Sequence, residues 1–145
     1  MFLHIKDVLT PEEITFFRQA LGPQAPWIEG ARSAGGQAIH QKNNLQLAQG
    51  SELSAQLQTM VKAALHRNAL FFSAALPRRI YNPLFNKYGD GANYYGNHVD
   101  SAVMHSKADN CWVRSDLSCT LFLTPPEDYD GGELVITETL GEKRI

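Results

Sequence analysis

The sequence predicts an α+β fold, with helices in its first half and antiparallel strands in its second. Between residues 51 and 68, apolar residues recur at spacings of three and four, which is the pattern of one helix face. After residue 69, segments such as SDLSCTLFL and ELVITET alternate with period two, as strands with two different faces do. Helices that precede a run of strands favour separate helical and sheet layers over a repeated strand-helix-strand unit.

The N-terminal region predicts a short strand, a first helix and a loop-rich segment. Apolar residues from Phe2 to Val8 suggest the strand. Thr10-Pro11-Glu12-Glu13 then supplies an N-cap, a proline at the first helical position and a capping-box glutamate. The helix should run from about Pro11 to Leu21. Residues 22 to 50 are rich in Gly, Gln and Asn, which favours loops and brief strands.

The second helix and the later strands follow from caps and alternation. Ser51 is a suitable N-cap for a helix that ends near Asn68. From Asp116 to Leu123, one set of alternate residues is apolar and the other mixed, which predicts a strand. Residues 125 to 132 form a turn, and Glu133 to Thr139 form another strand. No repeat or long linker divides the chain, so we expect one folding unit.

Composition excludes several broad classes of function. The chain has 145 residues, 43% of them hydrophobic, with a net charge of −2 and a pI near 6.2. This balance gives no basic stripe for nucleic acid, and no apolar run is long enough for a membrane span. The N-terminal residues carry no secretion pattern, so we expect a cytoplasmic protein. Cys111 and Cys119 predict two reduced thiols rather than a disulfide or a zinc site.

His98 and Asp100 form the pattern that carries chemistry. Residues two apart in an extended segment point to the same side, so this pair can hold one metal ion while Val99 points away. An imidazole and a carboxylate, with a second histidine, make the facial triad of non-haem iron oxygenases. The tripeptide alone is weak evidence, because about one chain in four with five histidines contains it by chance.

The surrounding blocks make the pattern specific. PLFNKY, YGNHVDSAV and RSDLSCTLFLTPPEDYDGGELVI occur in this order, after a TPEE helix, a QKNN segment and ALFFSAALPRR. Together they resemble the PKHD-type hydroxylases, bacterial relatives of the prolyl 4-hydroxylase group of Fe(II)/2-oxoglutarate dioxygenases. The resemblance extends over essentially the whole chain.

This resemblance implies a double-stranded β-helix, a jelly-roll barrel braced by N-terminal helices. It divides the chain into residues 1–77, an N-terminal helical support region, and residues 78–145, the first part of the Fe(II)/2-oxoglutarate dioxygenase domain. It implies that His98 and Asp100 are iron ligands and that Tyr95 lines the cofactor pocket. Fe(II), the co-substrate 2-oxoglutarate, L-ascorbate as supporting reductant and O₂ are the implied small molecules. The substrate would be a peptide, a protein or a small molecule.

Two departures from the family pattern affect these expectations. The stretch YGDGANYYGNH is one residue longer than the family's usual spacing, which leaves the role of Tyr88 open. In the family, a second metal histidine and an arginine that pairs with 2-oxoglutarate follow the strand equivalent to Glu133 to Thr139, and this chain stops at Ile145. We therefore expect a fragment whose barrel is incomplete at the C-terminus and whose open edges favour a homo-oligomer.

Alternatives remain open at this point. His105 or His40 could replace the missing ligand, although both lie in polar loops where a solvated histidine is the commoner case. Arg114 could reach a carboxylate co-substrate, although a surface ion pair is the commoner role. A second copy of the chain could complete the site. The protein could also be a non-catalytic jelly-roll binding module in which His98 and Asp100 only hydrogen-bond.

Overall fold

The computed structural model describes residues 2–33, 42–89, 91, 93–106, 110–139 and 141–145. These residues form a mixed α+β structure, which confirms the predicted α+β class, while the jelly-roll barrel stays a prediction. The helices are α1 (Pro11–Ala20), α2 (Glu52–Arg67) and α3 (Ala69–Ala75). The strands are β1 (Trp27–Glu29), β2 (Lys42–Asn43), β3 (Leu45–Leu47), β4 (Asn86–Lys87), β5 (Tyr94–Tyr95), β6 (Val103–Ser106), β7 (Cys111–Arg114), β8 (Val135–Glu138) and β9 (Gly141–Arg144).

Helix α1 begins with the predicted capping box. The Glu13 amide donates to Thr10 Oγ1 over 3.3 Å, and the Thr10 amide donates to Glu13 Oε2 over 2.8 Å. Two amides that helix geometry leaves without partners are thereby satisfied. The same Glu13 carboxylate accepts hydrogen bonds from the Arg67 guanidinium at the end of α2. The cap of the first helix therefore also joins the two long helices.

Helix α2 confirms the second predicted helix, and the chain then turns directly into α3. Ser51 Oγ accepts from the Ser54 amide over 3.1 Å, and α2 ends one residue before Asn68. The Asn68 side chain accepts from the Phe71 amide over 2.8 Å and so caps a third helix. The expectation of β-structure from residue 69 onward was wrong here, because this cap and the absence of Gly or Pro before Pro77 favour a helix.

Two of the predicted strands are not formed. Residues from Phe2 to Val8 and from Asp116 to Leu123 make no strand ladder. Apolar alternation needs a partner strand with free edge groups, and the described residues supply none to either segment. Leu121 and Leu123 nevertheless pack against the core while Phe122 is exposed, so the alternation of faces persists. The strand predicted from Glu133 to Thr139 is confirmed as β8.

The core lies between the helices and the first sheet. Phe17 of α1, Leu57 of α2 and Leu47 of β3 are almost completely buried. The Phe17 and Phe85 rings pack at a centroid distance of 6.1 Å. These contacts fix the helices against the sheet, since a buried aromatic side chain contributes a large share of the apolar area removed from water. No helix in the described part of the chain is both long and apolar enough to cross a membrane.

The strands form small antiparallel sheets. One has the order β1-β3-β4, and three two-stranded pairs join β2 to β5, β6 to β7, and β8 to β9. The β2–β5 pair is two residues long, with Lys42 opposite Tyr95 and Asn43 opposite Tyr94. Only one residue separates β2 from β3. The β2–β5 pair therefore lies beside the three-stranded sheet, and β5 is held near the edge of that sheet.

Gly30 lies so close to Asn44 that no side chain fits at this position. The Gly30 amide donates to the Asn44 carbonyl over 2.8 Å, and a Cβ at Gly30 would lie 1.8 Å from Asn44 Oδ1. Gly30→Ala should therefore lower the free energy of unfolding by about 1–3 kcal/mol, measured by urea denaturation.

Gly50→Ala is the matched control, because a Cβ there meets nothing within 4 Å. Its free energy of unfolding should equal that of wild type or exceed it by up to about 1 kcal/mol. Equal stabilities of the two variants would contradict the close packing of Gly30 on Asn44.

Candidate metal site

Strand β5 delivers the chain to the candidate site. Tyr95 is the last residue of β5 and is held opposite Lys42 of β2. The chain bends at Asn97 and continues through His98 to Asp100 without regular secondary structure. The position of the His-x-Asp segment is thus set by a strand pair whose members are far apart in sequence.

The structure brings His98 and Asp100 together as the sequence predicted. His98 Nε2 lies 3.4 Å from Asp100 Oδ1. Val99 between them is 95% exposed, so its side chain points away from the pair. The alternation expected for an extended segment therefore holds, and one nitrogen and one oxygen face the same small volume.

The His98 ring is oriented by a backbone carbonyl. Nδ1 lies 2.8 Å from the Gly96 carbonyl oxygen, which can only accept, so Nδ1 carries the proton. In a neutral imidazole, Nε2 then keeps its lone pair, which points toward Asp100. A histidine that donates one ring proton to a carbonyl while the other nitrogen stays available is the usual arrangement of a metal ligand.

The spacing of the two atoms fits one divalent metal. Nitrogen and oxygen ligands lie about 2.1 Å from such a metal, so neighbouring ligand atoms are roughly 3.0–3.4 Å apart. The observed separation of 3.4 Å is within this range. The His98 side chain is 27% exposed and that of Asp100 is 59% exposed, which leaves room for further ligands from outside the pair.

Tyr95 packs directly against His98. Its ring stacks on the His98 ring at a centroid distance of 3.9 Å and an interplanar angle of 16°. Burial raises the pKa of the Tyr95 phenol, and the negative charge of Asp100 raises it further. The phenol therefore stays protonated at neutral pH and keeps its donor hydrogen.

Tyr88 is a second tyrosine near this cluster, and its role was left open by the sequence. Burial raises its pKa, a hydrogen bond with Asn44 acts in the opposite direction, and the charge of Tyr95 would raise it. Tyr88 thus lies close to Tyr95 and to Asn44, the residue between β2 and β3. The structure places it next to the site rather than on the His98–Asp100 pair.

The other candidate residues lie away from the His98–Asp100 pair or outside the described part of the chain. His105 is in β6, where its ring packs on Trp112 at a centroid distance of 4.9 Å. Arg114 pairs with Asp116 at 2.6 Å on the surface. His40 lies outside the described residues. Within those that are described, no group of three or more His, Cys, Asp or Glu residues could hold a metal ion.

Lys42 is a neighbour of the site that the sequence did not reveal. It is only 8% exposed, and its ammonium lies over the Tyr95 ring, 5.1 Å from the centroid. Burial lowers the pKa of this lysine. The QKNN segment contributed to the family resemblance, but it did not show that Lys42 lies opposite Tyr95. Cross-strand neighbours are far apart in the sequence, so no local pattern predicts them.

Comparison with known proteins finds relatives that are named hydroxylases. It is 52% identical over all its 145 residues to a PKHD-type hydroxylase of Variovorax paradoxus. It is 48% identical to one of Aliarcobacter butzleri and 49% identical to PKHD-type hydroxylase YbiX of Shigella dysenteriae, again over the whole chain. No family model matches. The chain is thus a homologue of bacterial hydroxylases.

More narrowly, the relatives are PKHD-type hydroxylases, which confirms the resemblance drawn from the sequence blocks. The chain spans 63% of the length of the curated relatives it matches.

The raised pKa of Tyr95 predicts a specific loss of stability at alkaline pH. Because the folded-state pKa lies above the unfolded value of about 10, the stability linked to this phenol is complete below pH 10 and is lost as the pH rises through the folded-state pKa. Tyr95→Phe keeps the ring but removes the ionisable group. The decline in its free energy of unfolding above about pH 10 should therefore be shallower than in wild type.

Urea denaturation of both proteins at several values between about pH 8 and pH 11 measures this difference. Tyr88 contributes in the same direction, so some alkaline dependence should remain in the variant. Curves that run parallel over the whole range would contradict the assignment of a raised pKa to Tyr95.

Proposed function

We propose that this chain contributes the first two protein ligands, His98 and Asp100, to the Fe(II) centre of a 2-oxoglutarate-dependent hydroxylase. The observation that carries the proposal is the 3.4 Å approach of His98 Nε2 to Asp100 Oδ1, with Nδ1 bound to the Gly96 carbonyl. The names of the relatives support the reaction class, since they are hydroxylases. Imidazole and carboxylate together are the donor set that non-haem Fe(II) oxygenases use.

The proposed architecture is a jelly roll in which residues 1–77 support the barrel and residues 78–145 begin the oxygenase domain. The division is supported by the distribution of elements in the described residues: the three α-helices end by Ala75, and strands, irregular segments and a short 3₁₀ turn at Pro126–Asp128 follow. Every strand pair in the described part of the chain is antiparallel, as jelly-roll sheets require. Helices α1 and α2 pack on the sheet that adjoins β2 and β5.

Within this site the chain's own residues have separable tasks. His98 and Asp100 would hold the iron, the Gly96 carbonyl fixes which ring nitrogen is available, and Tyr95 limits the tilt of the imidazole. When bound, Fe(II) and 2-oxoglutarate supply the oxidising power for hydroxylation with O₂, and L-ascorbate maintains the reduced metal. The protonated Tyr95 hydroxyl is a donor suited to an anionic co-substrate beside the pair.

The substrate class that fits is a C–H-bearing amino-acid side chain, in a peptide or protein, or a small molecule of similar size. The Asp100 side chain is 59% exposed, which leaves the proposed metal position accessible. An accessible site accommodates a substrate presented on a larger molecule. One further protein ligand and an anchor for the far carboxylate of 2-oxoglutarate complete the proposed centre.

A binding module is the competing function, and one observation favours it. The 3.4 Å contact between His98 and Asp100 could serve a protonated histidine and a carboxylate with no metal between them. In that case the two residues would stabilise a loop, and ligand binding would not depend on metal. Replacement of the residues separates the two functions.

Metal binding should depend on both members of the pair. His98→Ala and Asp100→Ala should each weaken binding of Co(II), a substitute that is close to Fe(II) in ligand preference, by at least roughly 10-fold. Isothermal titration of the purified chain measures this loss.

His105→Ala is the matched control, because it removes another histidine that also packs on an aromatic ring. Its Co(II) affinity should equal that of wild type. Unchanged binding in both His98→Ala and Asp100→Ala, or an equal loss in His105→Ala, would remove the proposed centre and favour the binding module.

Co-substrate binding generates a second prediction for this site. 2-Oxoglutarate can fill two coordination positions through its 1-carboxylate and 2-keto oxygens, whereas glutarate lacks the keto oxygen. Under anaerobic conditions 2-oxoglutarate should therefore raise the apparent Fe(II) affinity of the chain by roughly 10-fold, and glutarate should raise it much less. Equal effects of the two acids would contradict chelation at this metal.

A further inference from the structure

Lys42 and Tyr95 form a cross-strand contact that the proposed chemistry does not yet use. The two residues are directly opposite in the β2–β5 pair, and the Lys42 ammonium lies 5.1 Å from the centroid of the Tyr95 ring. A cation within about 6 Å of an aromatic centroid is attracted by the ring's negative face. Lys42 is 8% exposed, so this contact lies in a region where water screens it little.

The same Tyr95 ring touches the histidine that faces the metal position. The Tyr95 and His98 rings are nearly parallel, at 16°, and their centroids are 3.9 Å apart. A tilt of the tyrosine ring at this distance must displace the imidazole, because two stacked rings at van der Waals separation leave no gap. The orientation of His98 is therefore tied to the orientation of Tyr95.

We propose that Lys42 is a positioning residue for the metal centre, acting through Tyr95. The ammonium holds the tyrosine ring, the ring supports the His98 imidazole, and the imidazole thereby keeps Nε2 directed at Asp100. The predicted effect of Lys42 on metal binding rests on the proposed function. The contact from Lys42 through Tyr95 to His98 is independent of that function, because it can be measured in the metal-free chain.

Two variants and a matched control isolate the contact. Lys42→Met keeps most of the buried stem and removes the charge, while Lys42→Arg keeps a cation. Lys87→Met is the control, because the Lys87 ammonium also lies over an aromatic ring, that of Trp27 at 5.9 Å. Lys87 belongs to β4 in the other sheet and its aromatic partner does not stack on His98.

The first readout is the NMR signal of the His98 ring protons in the metal-free protein. Stacking on Tyr95 shifts these protons upfield, and Tyr95→Leu defines the position without the ring. In Lys42→Met the signals should move toward that position, whereas in Lys42→Arg and Lys87→Met they should stay near wild type. If Lys42→Met does not unfold cooperatively, Lys42→Gln takes its place, since it also removes the charge.

The second readout is Co(II) affinity, measured by titration. Lys42→Met should bind Co(II) about 10-fold more weakly than wild type, which is the size of loss seen when a group that orients a metal ligand is removed. Lys42→Arg should restore most of the affinity, and Lys87→Met should not change it. If Lys42 were needed only for stability, Lys42→Met would change the free energy of unfolding, but the Co(II) affinities of the three variants would not follow this pattern.

A double variant tests whether Lys42 acts through Tyr95. If it does, adding Lys42→Met to Tyr95→Leu should change neither the His98 signals nor the Co(II) affinity further. Independent, additive effects would overturn the proposal, and so would unshifted His98 signals in Lys42→Met.

The same experiments distinguish a failure of the proposed metal centre from a failure of the proposed role of Lys42. If wild type binds no Co(II), or binds it equally well after His98→Ala, the metal centre fails, while the NMR signals still decide whether Lys42 positions His98. If metal binding depends on His98 but not on Lys42, the centre stands and the positioning role is wrong.

Discussion

The antiparallel pairing of β2 with β5 is the interaction on which the rest of the candidate site depends. It joins Lys42–Asn43 to Tyr94–Tyr95, two short segments far apart in the chain. A pair this short is not stable alone. Its stability comes from the adjoining sheet, to which β2 is connected through Asn44.

A buried polar network makes that connection. Asn44 Nδ2 and Gln46 Nε2 both donate to Asn86 Oδ1, over 3.0 and 3.1 Å, and both donors belong to nearly inaccessible side chains. Buried amides cost free energy unless they are hydrogen-bonded, so a network of this kind fixes one register of the strands. A slip by one residue would take Lys42 away from Tyr95 and put the wrong face toward the core.

The arrangement of His98 and Asp100 then follows from short-range contacts. Tyr95 ends β5, the Gly96 carbonyl accepts a hydrogen bond from His98 Nδ1–H, and the alternation of an extended segment returns Asp100 to the same side. These contacts restrict the orientation of the His98 imidazole before any ligand binds. A site that is oriented in advance loses less entropy on binding.

Local features of the sequence predicted α1, α2 and the His98–Asp100 pair, because caps and period-two alternation act over a few residues. Helix α3 was missed because its cap, Asn68, also ends α2. The strands expected at Phe2 to Val8 and Asp116 to Leu123 were wrong, since alternation does not specify a partner. Lys42 was missed for the related reason that its place beside Tyr95 depends on a pairing between distant segments.

The central claim is that one metal ion binds between His98 and Asp100, and residue-specific paramagnetic NMR tests it most directly. Substoichiometric Mn(II) broadens signals near the bound ion first, even when binding is weak. The account predicts that the signals of His98, Asp100 and Tyr95 broaden before any others and recover when the metal is chelated. Broadening centred on another histidine, or spread evenly over the surface carboxylates, would contradict it.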